Sequence, residues 1–430
     1  MDERKNRSFL DSEPSEDQDT RWLGSSSFRT SERLPPRTQN PRQAGVIGII
    51  ETASKYSIPT YFFPTSVKAG GAWRPTWSPT YLLGDGLSCT VERYEIQEDV
   101  GPGLPQGTAV AIKKYKSRNN DGNGETNRNG ASLGKEQASI FEKIAREVEI
   151  MGSLAATLGK NNTENIAQLY FIAFAQDSAP VPIVGMELAL HGTLDYVLRC
   201  PGDGLIDTEK INITLDMALG LDALHCAGIV HGDLKCENIL ICHHESRGIV
   251  AKITDFSGSC HIDGIPGCHP SAEARRPSHF TSLWSSPEVI LDGNDGTADI
   301  DWKKADVYAY GLLVASTWMR TSETRAYMLH PCFSTCAAEE FLPSTGITEE
   351  ERQRERDRLK LKIDEAQNSL VRHVSLLLGS RLEGNARSVI LSIIKSTLAT
   401  LPSNRFTIRD VLKSCLPPFL TSSSREDINL

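Results

Sequence analysis

The stretch from His231 to Leu240 reads HGDLKCENIL, and it sets Asp233, Lys235 and Asn238 within six residues of one another, directly before an apolar, strand-like run. A carboxylate at Asp233 can accept a proton from a hydroxyl, and an ammonium at Lys235 can steady a transferring phosphoryl group. A carboxamide at Asn238 can offer its oxygen to a hard cation. These side chains point to phosphoryl transfer. One short string on a polar loop also arises by chance, so the reading depends on companions elsewhere in the chain.

Companions are present, in a fixed order. Upstream, Gly84-Asp85-Gly86-Leu87-Ser88-Cys89-Thr90-Val91 pairs two glycines, which let backbone amides approach phosphates, with a valine. Alone, this string is a weak signal and reads better as an ordinary tight hairpin. Val110-Ala111-Ile112-Lys113 is a strand pattern that sends Ala111 and Lys113 to one face. Arg146-Glu147-Val148-Glu149-Ile150-Met151 follows on a helical pattern, and Glu149 lies about 200° around the helix from Glu147. Beyond it come Ile183-Val184-Gly185-Met186-Glu187-Leu188-Ala189 and Ala251-Lys252-Ile253-Thr254-Asp255-Phe256-Ser257. The last three strings are Thr281 to Glu288, ending in Pro287-Glu288, then Asp306 to Gly311, and Pro402 to Arg405.

In this order the strings resemble the eukaryotic protein-kinase family, whose catalytic loop is H-R-D-L-K-x-x-N. The resemblance covers roughly Thr80 to Leu420. It implies an α+β, bilobal protein-kinase-like fold, with a small β-rich lobe and a larger, mainly α-helical one. It also implies roles: Asp233 and Lys235 catalytic; Asn238 and Asp255 on Mg2+; Gly84, Asp85, Gly86, Val91, Ala111, Lys113, Glu147, Met186, Glu187 and Ala189 around ATP. In that scheme Glu147 pairs with Lys113, Met186 is the gatekeeper, and the Glu187 and Ala189 backbones face adenine. Glu288 is expected to pair with Arg405, and Asp306 to brace the catalytic loop.

Three positions depart from the family pattern: Cys89 replaces the third glycine of the phosphate loop, Gly232 replaces arginine, and Ser257 replaces the glycine of D-F-G. Without an arginine at position 232 to bind an activation-loop phosphate, phosphorylation there is expected to matter less. The resemblance associates D-L-K-x-x-N, present here with Lys235, with Ser/Thr enzymes, and so implies Ser/Thr hydroxyls of proteins as acceptors. The alternatives are a pseudokinase that binds ATP or acts as a scaffold, and a small-molecule kinase of related fold. Because a cleft lysine contributes little to core packing, Lys113→Met is expected to impair phosphate positioning without unfolding the chain.

The bulk composition fits this reading. A formal charge of -9 argues against a nucleic-acid partner, and the start MDERKNRSFL has no apolar leader, so no membrane is expected and the compartment is read as cytoplasmic, with the nucleus open. The ten cysteines form no CxxC pair and suit reduced thiols. Cys242-His243-His244, Cys260-His261 and Cys268-His269 raise zinc, but their spacing does not supply four converging ligands.

Residues 1–79 are expected to be a largely disordered extension; its first 43 residues are polar, while the VIGII and YFF patches after Ala44 suit either packing on the next domain or a linker. Residues 80–190 are read as the smaller lobe and hinge, interrupted by the polar insert Ser117 to Gly134, with a helix over Glu136 to Leu158. Residues 191–420 are read as the larger lobe and 421–430 as a tail. Near 346–368 a charged run, opened by the capping-box spacing Thr348 to Glu351, is expected to be a solvated surface helix.

Overall fold

The computed structural model describes residues 41–63, 82–85, 89–96, 104–116, 130–159, 163–175, 182–200, 204–262, 276–292, 299–319, 348–381 and 385–417. Gly86, the Cys268-His269 pair, positions 1–40 and 64–79 of the expected disordered extension, positions 117–129 of the polar insert and the tail 421–430 lie outside the described residues.

The smaller lobe contains α1 (Pro41–Lys55), β1 (Thr60–Phe63), β2 (Leu82–Asp85), β3 (Cys89–Glu95), β4 (Ala109–Tyr115), α2 (Gly130–Leu158), β5 (Leu169–Ala175) and β6 (Ile183–Glu187). Its strands form one sheet in the order β1-β5-β6-β4-β3-β2. All neighbours are antiparallel except β1 and β5. The two-residue alternation of β4 explains its placement: Val110 and Ile112 pack with Tyr94, Leu104 and Phe171 on one face. Ala111, Lys113 and Tyr115 therefore share the opposite face, where α2 lies.

The larger lobe contains α3 (Leu194–Arg199), α4 (Asp207–Cys226), β7 (Ile229–Val230), β8 (Ile239–His244), β9 (Gly248–Ile253), β10 (Cys260–His261), α5 (Pro287–Asp292), α6 (Trp302–Trp318), α7 (Glu349–Arg381), α8 (Asn385–Thr397) and α9 (Ile408–Ser414). Helix α6 is buried along almost its whole length, from Asp306 to Trp318, as its nearly unbroken apolar run requires. One continuous core joins it to α2, α4, α8 and the β8–β9 hairpin, through residues such as Ile144, Leu221, Ile253 and Ile393. Among the described residues no helix is long and apolar enough to cross a membrane.

Two segments differ from the sequence reading. Residues 41–63, placed within a largely disordered extension although its VIGII and YFF patches left packing on the next domain open, are helix and strand built into the smaller lobe. Val46, Ile49, Ile50 and Ala53 recur at helical spacing, and Ile49 and Ala53 are fully buried in the core that includes α2. The charged run after Thr348 begins as expected, with Thr348 N–H donating to Glu351 Oε2 at 2.9 Å and Glu351 N–H to Thr348 Oγ1 at 3.3 Å. The helix does not stay on the surface, however. From Ile363 onward an apolar stripe at Ala366, Leu370, Val374 and Leu378 is buried, and buried Gln367 donates to the Tyr308 hydroxyl at 2.8 Å. Charge dominates only the first half of α7, and that masks the stripe in the second.

Candidate active site

Strand β4 carries Lys113 to the face where α2 presents Glu147. Lys113 Nζ donates to Glu147 Oε1 at 2.8 Å and Oε2 at 3.0 Å, and to Asp255 Oδ1 at 2.9 Å. Residues 34 and 142 positions from Lys113 in the chain thus meet on one ammonium. Glu147 is completely buried, and its second oxygen also accepts the Tyr115 hydroxyl. Glu149 points elsewhere and lies 3.8 Å from Lys55 of α1. Burial pushes the Lys113 ammonium down, but Glu147 foremost, with Tyr115 and Asp255, outweighs it and holds its pKa well above the usual lysine value. For Asp255, burial pushes the carboxyl up. The Lys113 charge and the hydrogen bonds from Lys113 and Ser257 reverse this and leave it well below the usual carboxylate range.

The catalytic-loop stretch is held from beneath by Asp306 of α6. Buried Asp306 accepts the His231 N–H on Oδ2 at 2.8 Å and the Gly232 N–H on Oδ1 at 2.9 Å, and its Oδ2 lies 3.1 Å from His225 Nε2. Hydrogen bonds to a charged group of this kind contribute about 1.5–3 kcal/mol each. His231 Nε2 lies 3.0 Å from the Thr254 carbonyl, which can only accept, so Nε2 carries the proton and Nδ1 accepts the Asp233 N–H at 3.2 Å. The Asn238 side-chain amide donates to the Asp233 carbonyl at 2.8 Å, while the Asn238 backbone carbonyl accepts the Thr254 N–H at 3.0 Å. Thr254, the residue before Asp255, is therefore tied to Asn238 where the β8–β9 hairpin ends.

Asp233 itself is gripped by two groups. Lys235 Nζ donates to its Oδ2 at 2.6 Å and Thr281 Oγ1 to its Oδ1 at 2.6 Å, and Lys235 also donates to Thr281 at 3.1 Å. Thr281 escaped the sequence reading as a site residue, because one hydroxyl in a hydroxyl-rich segment carries no signal until the fold brings it to Asp233. The same holds for Tyr115 and for the Ser257 hydroxyl, which donates to Asp255 Oδ1 at 2.9 Å. Asp255 adopts a left-handed backbone, φ 65 and ψ 73, and the following Phe256 is fully buried against His231.

Gly232 also has positive φ, 79°, and a Cβ built there would lie 2.5 Å from the Pro277 ring. An arginine at this position would be strained and would collide with Pro277. The segment Arg276 to Thr281 is instead seated on the loop by contacts that need no phosphate. Pro277 covers Gly232, Ser278 N–H donates to the Gly258 carbonyl at 3.0 Å, and Arg276 lies 5.9 Å from the Trp302 ring. Arg405, 2% exposed, grips Glu288 with bonds of 2.8 and 3.1 Å and so anchors α5 behind this segment.

The remaining predicted positions lie on β2, β3, β4 and β6 and in the segment after β6. Val91 pairs with Lys113, Ala111 with Met186, and Val110 with Glu187 across the sheet. Gly84 and Asp85 lie on β2 opposite Val91 and Thr90, and the Asp85 carboxylate pairs with Lys116. Ala189 clusters with Cys242, Val250 and Leu240. The Glu187 N–H donates to the Gln168 carbonyl at 2.9 Å, and the Ala189 carbonyl accepts the Gly192 N–H at 3.1 Å. The Glu187 carboxylate is not turned to the gap but accepts Lys252 Nζ at 2.7 and 2.9 Å.

Residues 103–416 match the family model described as the protein kinase domain. The probable serine/threonine-protein kinase gdt8 of Dictyostelium discoideum is 30% identical over 210 residues, which cover 49% of this chain and 13% of that protein. The probable serine/threonine-protein kinase drkC of the same organism is 27% identical over 241 residues, 55% of this chain and 26% of that protein. The human dual specificity testis-specific protein kinase 1 is 30% identical over 138 residues, 32% of this chain and 20% of that protein. The matched stretch thus spans a quarter or less of most of these relatives, and at most 26%.

Proposed function

This chain belongs to the protein kinase family, and on that premise we propose that it is an active enzyme that transfers the γ-phosphoryl group of ATP to Ser or Thr hydroxyls of proteins. The observation that carries the proposal is the convergence on Lys113: 2.8 Å to Glu147 and 2.9 Å to Asp255, whose neighbour Thr254 is bonded to Asn238 of the loop that holds Asp233. Lys113, braced by Glu147, is poised to hold the α- and β-phosphates. Asp233 accepts the proton of the attacking hydroxyl, Lys235 steadies charge on the group in transit, and Thr281 fixes both side chains.

The donor set suits Mg2+. The Asn238 amide nitrogen is committed to the Asp233 carbonyl, which leaves its side-chain oxygen for a cation, and Asp255 supplies an ionised carboxylate. Held by these two residues, Mg2+ would supply positive charge that neutralises the phosphates. At the hinge, the backbones of Glu187 and Ala189 are the groups assigned to a purine edge, just after the last β4–β6 pair, Val110 with Glu187. The seating of Pro277 on Gly232 supports a segment ordered without phosphorylation. The reduced cysteines and the charge of -9 suit a chain working in the cytoplasm or nucleus on protein rather than nucleic acid.

The pseudokinase reading draws on Ser257, whose hydroxyl occupies Asp255 Oδ1 together with Lys113. One assay separates the two: transfer of labelled phosphate from ATP to a generic Ser/Thr substrate, with and without Mg2+. The wild-type chain labels the substrate only with Mg2+, and Asp233→Ala does not label it. If wild type and variant are equally silent while ATP still binds, the scaffold reading replaces this one.

A further inference from the structure

Residues 41–63 precede the matched domain, yet they are built into it at two points that bear on the site. Along α1, Ile49 and Ala53 are fully buried in the core that holds Phe141, Ile144 and Val148 of α2. The contact has a defined register. A Cβ on Gly45 of α1 would lie 2.8 Å from the Phe141 ring of α2, and a Cβ on Gly152 of α2 would lie 2.4 Å from the Tyr56 ring that follows α1. Each end of the contact thus seats an aromatic ring from one segment on a bare glycine of the other. Phe141 and Gly152 are about 16 Å apart along the helix, and Glu147 lies between them. Sliding α2 by a turn would drive both rings into side-chain-bearing positions.

The second attachment is to the sheet. After α1 the chain turns, with Ile58 N–H donating to the Ala53 carbonyl at 2.8 Å, and the Pro59 carbonyl then accepts the Ile172 N–H at 2.9 Å. Strand β1 continues parallel to β5 from Thr60 opposite Ile172 to Phe63 opposite Ala175. Through β5 and β6 this reaches β4, which carries Lys113. One short segment therefore touches both bodies whose side chains meet in the Lys113–Glu147 pair: the helix bearing the glutamate and the sheet bearing the lysine. On its other side α2 packs on the Phe256–Gly258 turn next to Asp255.

We propose that residues 41–63 are a positioning clasp, supplied in cis, that fixes α2 at the register and distance where Glu147 meets Lys113; the catalytic part of this inference rests on the kinase reading above. None of the clasp residues touches the reacting groups. Ile49, Ala53 and Tyr56 act through α2, so their loss alters how well the site holds nucleotide rather than removing a reacting side chain.

The test uses the full-length chain carrying Ile49→Glu, with Ile49→Val as the conservative control. Hydrogen exchange is followed in α2 and in α6, and affinity for a fluorescent ATP analogue is measured beside the KM for ATP and kcat of phosphate transfer. In Ile49→Glu, exchange in α2 rises while α6 stays protected, nucleotide binding weakens and KM rises by about tenfold or more. Ile49→Val stays within about twofold of wild type on every readout. The clasp is overturned if α2 exchange rises with nucleotide affinity unchanged, or if neither moves. Should Ile49→Glu also deprotect α6, the milder Ala53→Gly variant decides by the same two readouts. A wild-type chain that binds nucleotide but transfers no phosphate overturns the kinase reading alone, and exchange with binding still judges the clasp. A wild type that binds no nucleotide overturns both.

Discussion

Around Lys113 the site is joined by side-chain charges that come from β4, α2 and the turn after β9, whereas around Asp233 it is joined by backbone N–H groups resting on the buried carboxylate of Asp306. The first arrangement exists only when whole elements sit in the right place, because long side chains on separate bodies must reach one another. The second gathers its functional side chains within a few residues of His231 and inherits its rigidity from α6, one of the most deeply buried helices. A protein built this way can lose the first half of its site through movement of one helix while keeping the second intact. The clasp of α1 and β1 bears on the first half, and Pro277 on the second.

The sharpest way to break the comparison is to remove the charge at the centre of the first region. The sequence reading expected Lys113→Met not to unfold the chain, because a cleft lysine contributes little to packing, but the structure places Lys113 at 6% exposure against a fully buried Glu147. Removing one partner of a buried pair strands the other, at about 3–5 kcal/mol. Lys113→Met is therefore expected to lower the urea midpoint strongly, and Lys113→Met with Glu147→Gln to recover much of the loss, since the stranded charge is gone. A single variant as stable as wild type would show that the pair is not held in this buried form.

A smaller effect tests the second region, where His279 lies 4.0 Å from Asp233 and packs against Gly258. Burial lowers the imidazole pKa from 6.5, opposed by Asp233 and Asp255 and reinforced by Lys143 of α2 and Lys235. The folded chain thus takes up this proton later than the unfolded chain. Its contribution to stability is whole above the ordinary value and declines as pH falls through 6.5 toward the folded pKa. His279→Gln should flatten that part of a stability-against-pH curve. An unchanged slope would assign the titration to another group.

Much of the second region was legible from the string HGDLKCENIL, because its chemistry and its local hydrogen bonds lie close together in the chain. The members of the first region were legible one at a time: Lys113 from strand alternation, Glu147 from a helical stripe, Asp255 from its neighbours. Their meeting was readable only through the order of the motifs. Of the clasp only the apolar VIGII and YFF patches were legible, since Gly45 and Gly48 dilute its stripe and four residues of β1 make no pattern without β5 beside them. Thr281 and Tyr115 were missed for a related reason, as a lone hydroxyl acquires meaning from a partner far away in the chain.

Both regions serve one claim, that a metal-bound triphosphate is held between Lys113 and Asp255. The direct measurement is calorimetric titration of ATP into wild type and Asp255→Asn, each with and without Mg2+. Wild type is expected to bind more tightly with Mg2+, and the variant to lose that dependence along with about tenfold or more of the affinity. Equal, Mg2+-dependent binding by both proteins would contradict it.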